Sequence, residues 1–197
     1  MIHTYSKKLA EHLINELNLD NQRIPVISYG LEVIIGGFLK LTTFIFVPWL
    51  FGVLNQFTTA YITSAFLRLP SGGAHCTAYY KCLINTLVVF LIIALIAKHT
   101  LNPLPIKQIL WISLFLALLV FVKIAPVVSK EKPIVSLKRR RNLKIASSLI
   151  LVIYFIVSLY WNPKQDILIA SSLAILFHIF TLTKLGHKLL SYVDKLI

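Results

Sequence analysis

The segment Arg68 to Cys82 reads R-L-P-S-G-G-A-H-C-T-A-Y-Y-K-C and holds His75 together with the chain's two cysteines, Cys76 and Cys82. A cysteine nucleophile reacts as the thiolate, and a free thiol is mostly protonated at neutral pH. A neighbouring imidazolium is therefore needed to stabilise it. His75 and Cys82 are seven residues apart. On one continuous helix that spacing gives the same face but about 10.5 Å of axial separation, too far for a hydrogen bond. Pro70, Ser71, Gly72 and Gly73 are expected to break the helix. Thr77 is expected to cap the next one, which would begin near Ala78. His75 would then sit on a Gly-rich turn able to fold back over the first turns, with Cys82 about one turn into the new helix. Cysteine chemistry here thus requires a helix break before Cys82. Spacing alone leaves plainer readings open, with His75 a polar loop residue and Cys82 a small buried hydrophobe. His75, Cys76 and Cys82 offer three metal ligands and no evident fourth, so neither a metal nor a cofactor is expected.

The elements that must position this segment are membrane helices. Of the 197 residues, 57% are hydrophobic and only 14% are charged, at a mean hydropathy of +0.80. A soluble domain usually carries about 25% charged residues. Apolar stretches of roughly 18 residues or more recur, each long enough to cross about 30 Å of hydrocarbon. The expected fold is an all-α polytopic membrane bundle of about six transmembrane helices, a single domain over 1–197. Spans are expected at Val26–Leu50, Val53–Leu67, Tyr79–Ala97, Ile106–Ile124, Leu143–Trp161 and Ile167–Leu185. Residues 1–22 read as an amphipathic surface helix, with Ile2, Tyr5, Leu9, Leu13 and Leu17 at helical spacing. They lack the long apolar core of a cleaved secretory signal. Residues 68–82 form the candidate catalytic segment and 125–143 a basic loop.

The formal charge of +13 does not point to nucleic acid, because the cations sit between apolar spans. With the N-terminus inside, 16 of the 20 Lys and Arg residues fall on the cytoplasmic side, three outside and Lys40 within the first span. The opposite orientation would put Lys138 to Arg141 outside, against the positive-inside rule. Both termini and the His75–Cys82 segment are therefore expected at the cytoplasmic face of the plasma membrane. Both cysteines would then be reduced. Trp49, Tyr160 and Trp161 fall near the expected outer ends, as interfacial aromatics do.

Arg68, Gly72-Gly73, His75 and Cys82 at the start of an apolar span resemble the AgrB family (accessory gene regulator protein B). Ala125-Pro126, Lys130-Glu131-Lys132-Pro133-Ile134 and the basic run Lys138 to Arg141 strengthen the likeness, which covers nearly the whole chain. The resemblance implies a bacterial membrane cysteine endopeptidase of peptide quorum sensing. It implies Cys82 as nucleophile and His75 as its base, then acid. The substrate would be an AgrD-like propeptide, cut on its C-terminal side through an acyl-enzyme thioester and cyclised to a thiolactone or lactone. A homodimer is implied as well. Cys76, directly after His75, is not part of the family pattern and is read as a decoy thiol or an alternative nucleophile; the match to the family's seven-residue spacing favours Cys82.

Several residues support this reading. Arg68 is expected to bind a substrate carboxylate or fix the loop, against the plainer reading of a snorkelling cation. Gly72 and Gly73 supply backbone freedom and close approach. Glu32, an intramembrane acid, is expected to orient His75 or to pair with Arg68 or Lys40. Lys130, Lys132, Arg139 and Arg140 are candidates to bind an acidic propeptide tail, or else anionic lipid. His178 is expected to be a hydrogen-bonded core residue. The alternative function is a small-peptide exporter, which would use Glu32 and Lys40 and require neither His75 nor Cys82.

Overall fold

Among the described residues, long apolar runs with few helix breakers produce eight α-helices, α1 (Ile2–Glu16), α2 (Ile24–Leu50), α3 (Leu54–Ser71), α4 (Tyr79–His99), α5 (Ile106–Ile124), α6 (Leu137–Tyr160), α7 (Gln165–Leu182) and α8 (Lys184–Leu196). The structure, a computed structural model, describes residues 2–17, 20–73, 78–100, 105–127 and 136–196. Among the described residues there is no β-strand, and an isolated parallel bridge joins Gly72 to Val127. The protein is an all-α polytopic bundle. The chain divides into two compact units, Met1–Leu50 and Phe51–Ile197.

In the first unit, α1 buries Ser6, Ala10 and Ile14 at four-residue intervals, so a narrow stripe of mostly small side chains packs on α2. The apolar residues that mark α1 as amphipathic, Tyr5 and Leu9, stay exposed. Two intramembrane charges find partners within this unit. Glu32 Oε2 lies 3.1 Å from Nδ1 of His3. Lys40 Nζ stands 5.3 Å from the centre of the Phe44 ring, a cation–π contact.

The second unit is built around α7, which packs against α3, α4 and α5, while α6 packs against α3 and α5. Phe57, Tyr61, Phe90 and Phe177 form an edge-to-face aromatic cluster where α3, α4 and α7 meet. Trp111 of α5 meets Phe155 edge-on and donates its indole N–H to Ser158 Oγ at 3.2 Å, both residues lying on α6. Large apolar side chains such as Ile112, Phe115, Ile153 and Ile156 remain on the outside, the arrangement that lipid rather than water rewards.

Among the described residues five helices, α2, α4, α5, α6 and α7, are long and apolar enough to cross a membrane. The expected second span, α3, falls short of that composition because it carries Gln56, Thr63, Ser64 and Ser71, all of them buried. It turns these four polar residues inward and its Ile62, Phe66 and Leu69 outward. Three further boundaries differ from expectation. α3 continues through Pro70 to Ser71. A proline in the last turn forfeits only one ladder hydrogen bond, so the break falls at the glycines instead. α6 starts at Leu137, capped by Ser136, which accepts from the Arg139 N–H at 3.4 Å. Arg139 and Arg140 therefore lie on a helix rather than in the basic loop. The last apolar run ends at Leu182, and Thr183 starts a separate helix, α8.

Candidate functional site

The turn after α3 is held by its backbone. The Gly72 N–H donates to the Arg68 carbonyl at 2.9 Å and closes the helix. Gly72 has φ 76° and ψ −149°, and Gly73 has φ 143°, conformations that only glycine adopts without strain. A second strand of chain locks the turn from the side. Val127 N–H donates to the Ser71 carbonyl at 2.9 Å, and a Cβ on Gly72 would lie 2.0 Å from the Val127 carbonyl oxygen. The segment that follows α5, which includes a cis Ala125–Pro126 bond, thus buttresses the glycine pair through Val127.

Arg68 and Thr181 converge on Gly73. A Cβ there would stand 3.7 Å from Cζ and Nε of Arg68 and 3.7 Å from Thr181 Oγ1. Beneath them lies a buried polar group. Ser71 Oγ donates to the Leu67 carbonyl at 2.6 Å and lies 2.8 Å from Nε2 of His178, whose ring meets Phe121 edge-on. His178 is 1% exposed, the hydrogen-bonded core residue expected of it.

Across the break, α4 begins at Tyr79 with Ala78 as its capping residue. Cys82 is half-buried in the first turn, its N–H bonded to the Ala78 carbonyl at 3.1 Å. A helix break between Ser71 and Tyr79 is therefore present, as cysteine chemistry requires. His75, Cys76, Thr77, Lys130 and Lys132 lie outside the described residues. Arg68, Gly72 and Gly73 gather at one turn, Cys82 stands at the start of α4, and Glu32 belongs to the first unit, paired with His3. Arg139 and Arg140 are exposed on the first turn of α6. Among the described residues no cluster of His, Cys, Asp and Glu has a metal-ligand arrangement.

Sequence reasoning missed Ser71, Thr181 and Val127 as the frame of the glycine turn. Ser71 and Thr181 are 110 positions apart, and no local periodicity links them. The one available signal was an isolated histidine in an apolar span, which needs a polar partner.

Comparison with known proteins bears on the whole of this arrangement. Residues 6–182 match the family model for accessory gene regulator B. A putative AgrB-like protein of Clostridium perfringens (strain SM101 / Type A) is 28% identical, covering 98% of this chain and 97% of its own length. The accessory gene regulator protein B of Staphylococcus lugdunensis is 28% identical over 77% of this chain and 81% of its own. A putative AgrB-like protein of Listeria welshimeri is 26% identical over 94% and 90%. No solved structure matches the chain significantly. With a match that runs from α1 to the end of α7, this chain belongs to the accessory gene regulator B family.

Proposed function

We propose that this protein is a membrane cysteine endopeptidase that cuts an AgrD-like quorum-sensing propeptide and promotes its cyclisation. The observation that carries the reading is Cys82, half-buried in the first turn of α4 and preceded by a helix break, in a chain of this family. His75 takes the proton from Cys82 Sγ, and the thiolate attacks the scissile carbonyl. The tetrahedral adduct collapses as His75 protonates the departing amine, which frees the charged C-terminal tail and leaves the signal segment as a thioester on Cys82. A thiol within that segment then attacks the acyl carbon and expels the Cys82 thiolate, giving a thiolactone; a serine hydroxyl gives a lactone. Ring closure exchanges one thioester for another, so the chemical step is close to balanced. Holding the internal thiol near the acyl carbon raises its effective concentration. Excluding water limits hydrolysis of the thioester, and a site at the end of a helix bundle suits that need.

Arg68, which lies beside Gly73, fixes the glycine turn or binds a substrate carboxylate in this reading. Arg139 and Arg140, with Lys130 and Lys132, attract an acidic tail. Counting α3 as a sixth crossing puts 16 of the 20 Lys and Arg residues on one side under the N-in orientation, so this chemistry belongs at the cytoplasmic face, where a newly made precursor arrives.

Co-expression with the precursor tests the proposal. The wild type and Cys76→Ala should release the C-terminal tail, and Cys82→Ala should not. Cleavage by Cys82→Ala together with its loss in Cys76→Ala would move the nucleophile. Intact precursor exported by the wild type would replace the peptidase with a transporter.

A further inference from the structure

The C-terminal helix α8 carries features that the peptidase reading does not use, and it lies beyond the residues 6–182 that match the family model. Its place is set by a built corner. α7 ends at Leu182, and Thr183 Oγ1 accepts the Gly186 N–H at 3.1 Å, the side-chain cap of a helix start. At Gly186 an added Cβ would fall 2.1 Å from the Phe180 carbonyl oxygen, so α8 turns tightly against the end of α7. The 18 residues of α7 span about 27 Å, close to the thickness of the hydrocarbon layer. α8 therefore begins where the chain leaves the hydrocarbon.

Around its axis α8 has three faces. Gly186 and Asp194 are buried toward the rest of the protein. Leu185, Leu189 and Tyr192 recur at helical spacing and are 71%, 52% and 62% exposed. Lys184, Lys188 and Lys195 flank that apolar strip, all of them exposed, while the one acid, Asp194, is turned inward. An exposed apolar strip bordered by cations, at the level of the headgroups, is complementary to an anionic lipid surface. A second copy of the chain would have to cover the lysines with acidic groups, and the chain has only seven acids against 20 basic residues.

One contact ties this helix to the candidate nucleophile. Lys81 Nζ donates to the Asp194 backbone carbonyl, placing a cation at the C-terminal end of α8, where the helix dipole favours it. Lys81 is the residue before Cys82.

We propose that α8 is an interfacial helix that binds anionic lipid, and that it transmits this binding through Lys81 to the start of α4. Lipid charge would then steady the turn that bears Cys82.

Hydrogen-exchange mass spectrometry on the full chain tests this in nanodiscs of phosphatidylcholine alone or mixed with phosphatidylglycerol. No turnover is needed, so the outcome is independent of whether the protein cleaves a precursor. Amides of 184–196 should exchange roughly tenfold more slowly or better with the anionic lipid, as three lysines near a charged surface require. The first turn of α4 should slow with them. Replacing Lys184, Lys188 and Lys195 with Gln should abolish the lipid-charge dependence, and Leu189→Glu should abolish the protection, both with α7 unchanged as the measure of intact folding. Lys81→Met should keep the response of α8 and remove that of α4. Equal protection in both lipids would overturn the lipid assignment. So would protection that tracks protein density, which would assign the face to a second copy. An α4 response that survives Lys81→Met would overturn the coupling.

Discussion

Ser71 Oγ and His178 Nε2 lie 2.8 Å apart in the interior of the second unit, and between them they fix the last residue of α3 before the glycine turn. Ser71 spends its own proton on the Leu67 carbonyl. The ring must then donate from Nε2 and carry its hydrogen there. This link joins α7 to the root of the segment that leads to His75.

Removing either partner should expose its value. Ser71→Ala leaves the buried ring N–H without its acceptor, a cost of about 1–3 kcal/mol. His178→Ala adds a cavity beside Phe121 and should cost about 2–5 kcal/mol. His178→Gln, which keeps a donor, should cost less than His178→Ala. Thermal unfolding in detergent orders these variants. Equal midpoints for His178→Ala and the wild type would show that the link contributes nothing.

Gly72→Ala should be among the most damaging single-methyl changes in the chain. It combines a φ of 76° with a Cβ 2.0 Å from the Val127 carbonyl oxygen. Strain at such a position alone costs about 1–3 kcal/mol. Gly30→Ala is the control. Nothing lies within 4 Å of its Cβ position, and within a helix alanine should stabilise by up to about 1 kcal/mol. Expression level and unfolding midpoint of the two variants should move in opposite directions.

At the other end of α3, Gln56 Nε2 donates to Asp166 Oδ2 at 2.6 Å, while Asp166 Oδ1 accepts the Ile167 N–H at 2.9 Å at the start of α7. Gln56→Leu should cost about 1–3 kcal/mol, because it strips a part-buried carboxyl oxygen of its donor. Gln56→Leu with Asp166→Leu should cost less than the two single changes added together, since the second removes the group the first leaves unpaired. Strict additivity in unfolding measurements would mean that the pair does not act as a pair.

What the sequence reveals about this fold follows its physics closely. α5 occupies Ile106–Ile124, the span expected from hydropathy alone, because a continuous apolar run between polar ends has one solution in a membrane. α3 was harder. Its Gln56, Thr63, Ser64 and Ser71 are polar yet buried, and hydropathy cannot tell an inward polar face from a surface one. α6 starts at Leu137 rather than Leu143 because Lys and Arg are good helix formers, and a charge run ends a span without ending a helix. α8 stays concealed when the span is drawn through Thr183 and Lys184 to Leu185, because the corner at Thr183 and Gly186 rests on one cap and one close approach. At the site, the break before Cys82 was legible from Gly72 and Gly73. The Ser71–His178 link, 107 residues long in sequence, was not.

The basic start of α6 offers a test of substrate recognition apart from chemistry. Arg139 and Arg140 are exposed on the first turn, with Lys138 and Arg141 beside them. If they attract an acidic propeptide tail, Arg139→Gln with Arg140→Gln should raise the precursor concentration needed for half-maximal cleavage and leave the maximal rate close to that of the wild type. Added salt should weaken cleavage by the wild type more than by the variant, since the Debye length falls from about 8 Å at physiological ionic strength to about 3 Å at 1 M. The unfolding free energy should stay within about 0.5 kcal/mol of the wild type, as for surface changes away from packed features. A variant that loses maximal rate without any change in half-saturation would place these arginines in the chemistry rather than in recognition. Identical salt profiles would release them from both, leaving lipid contact as their role.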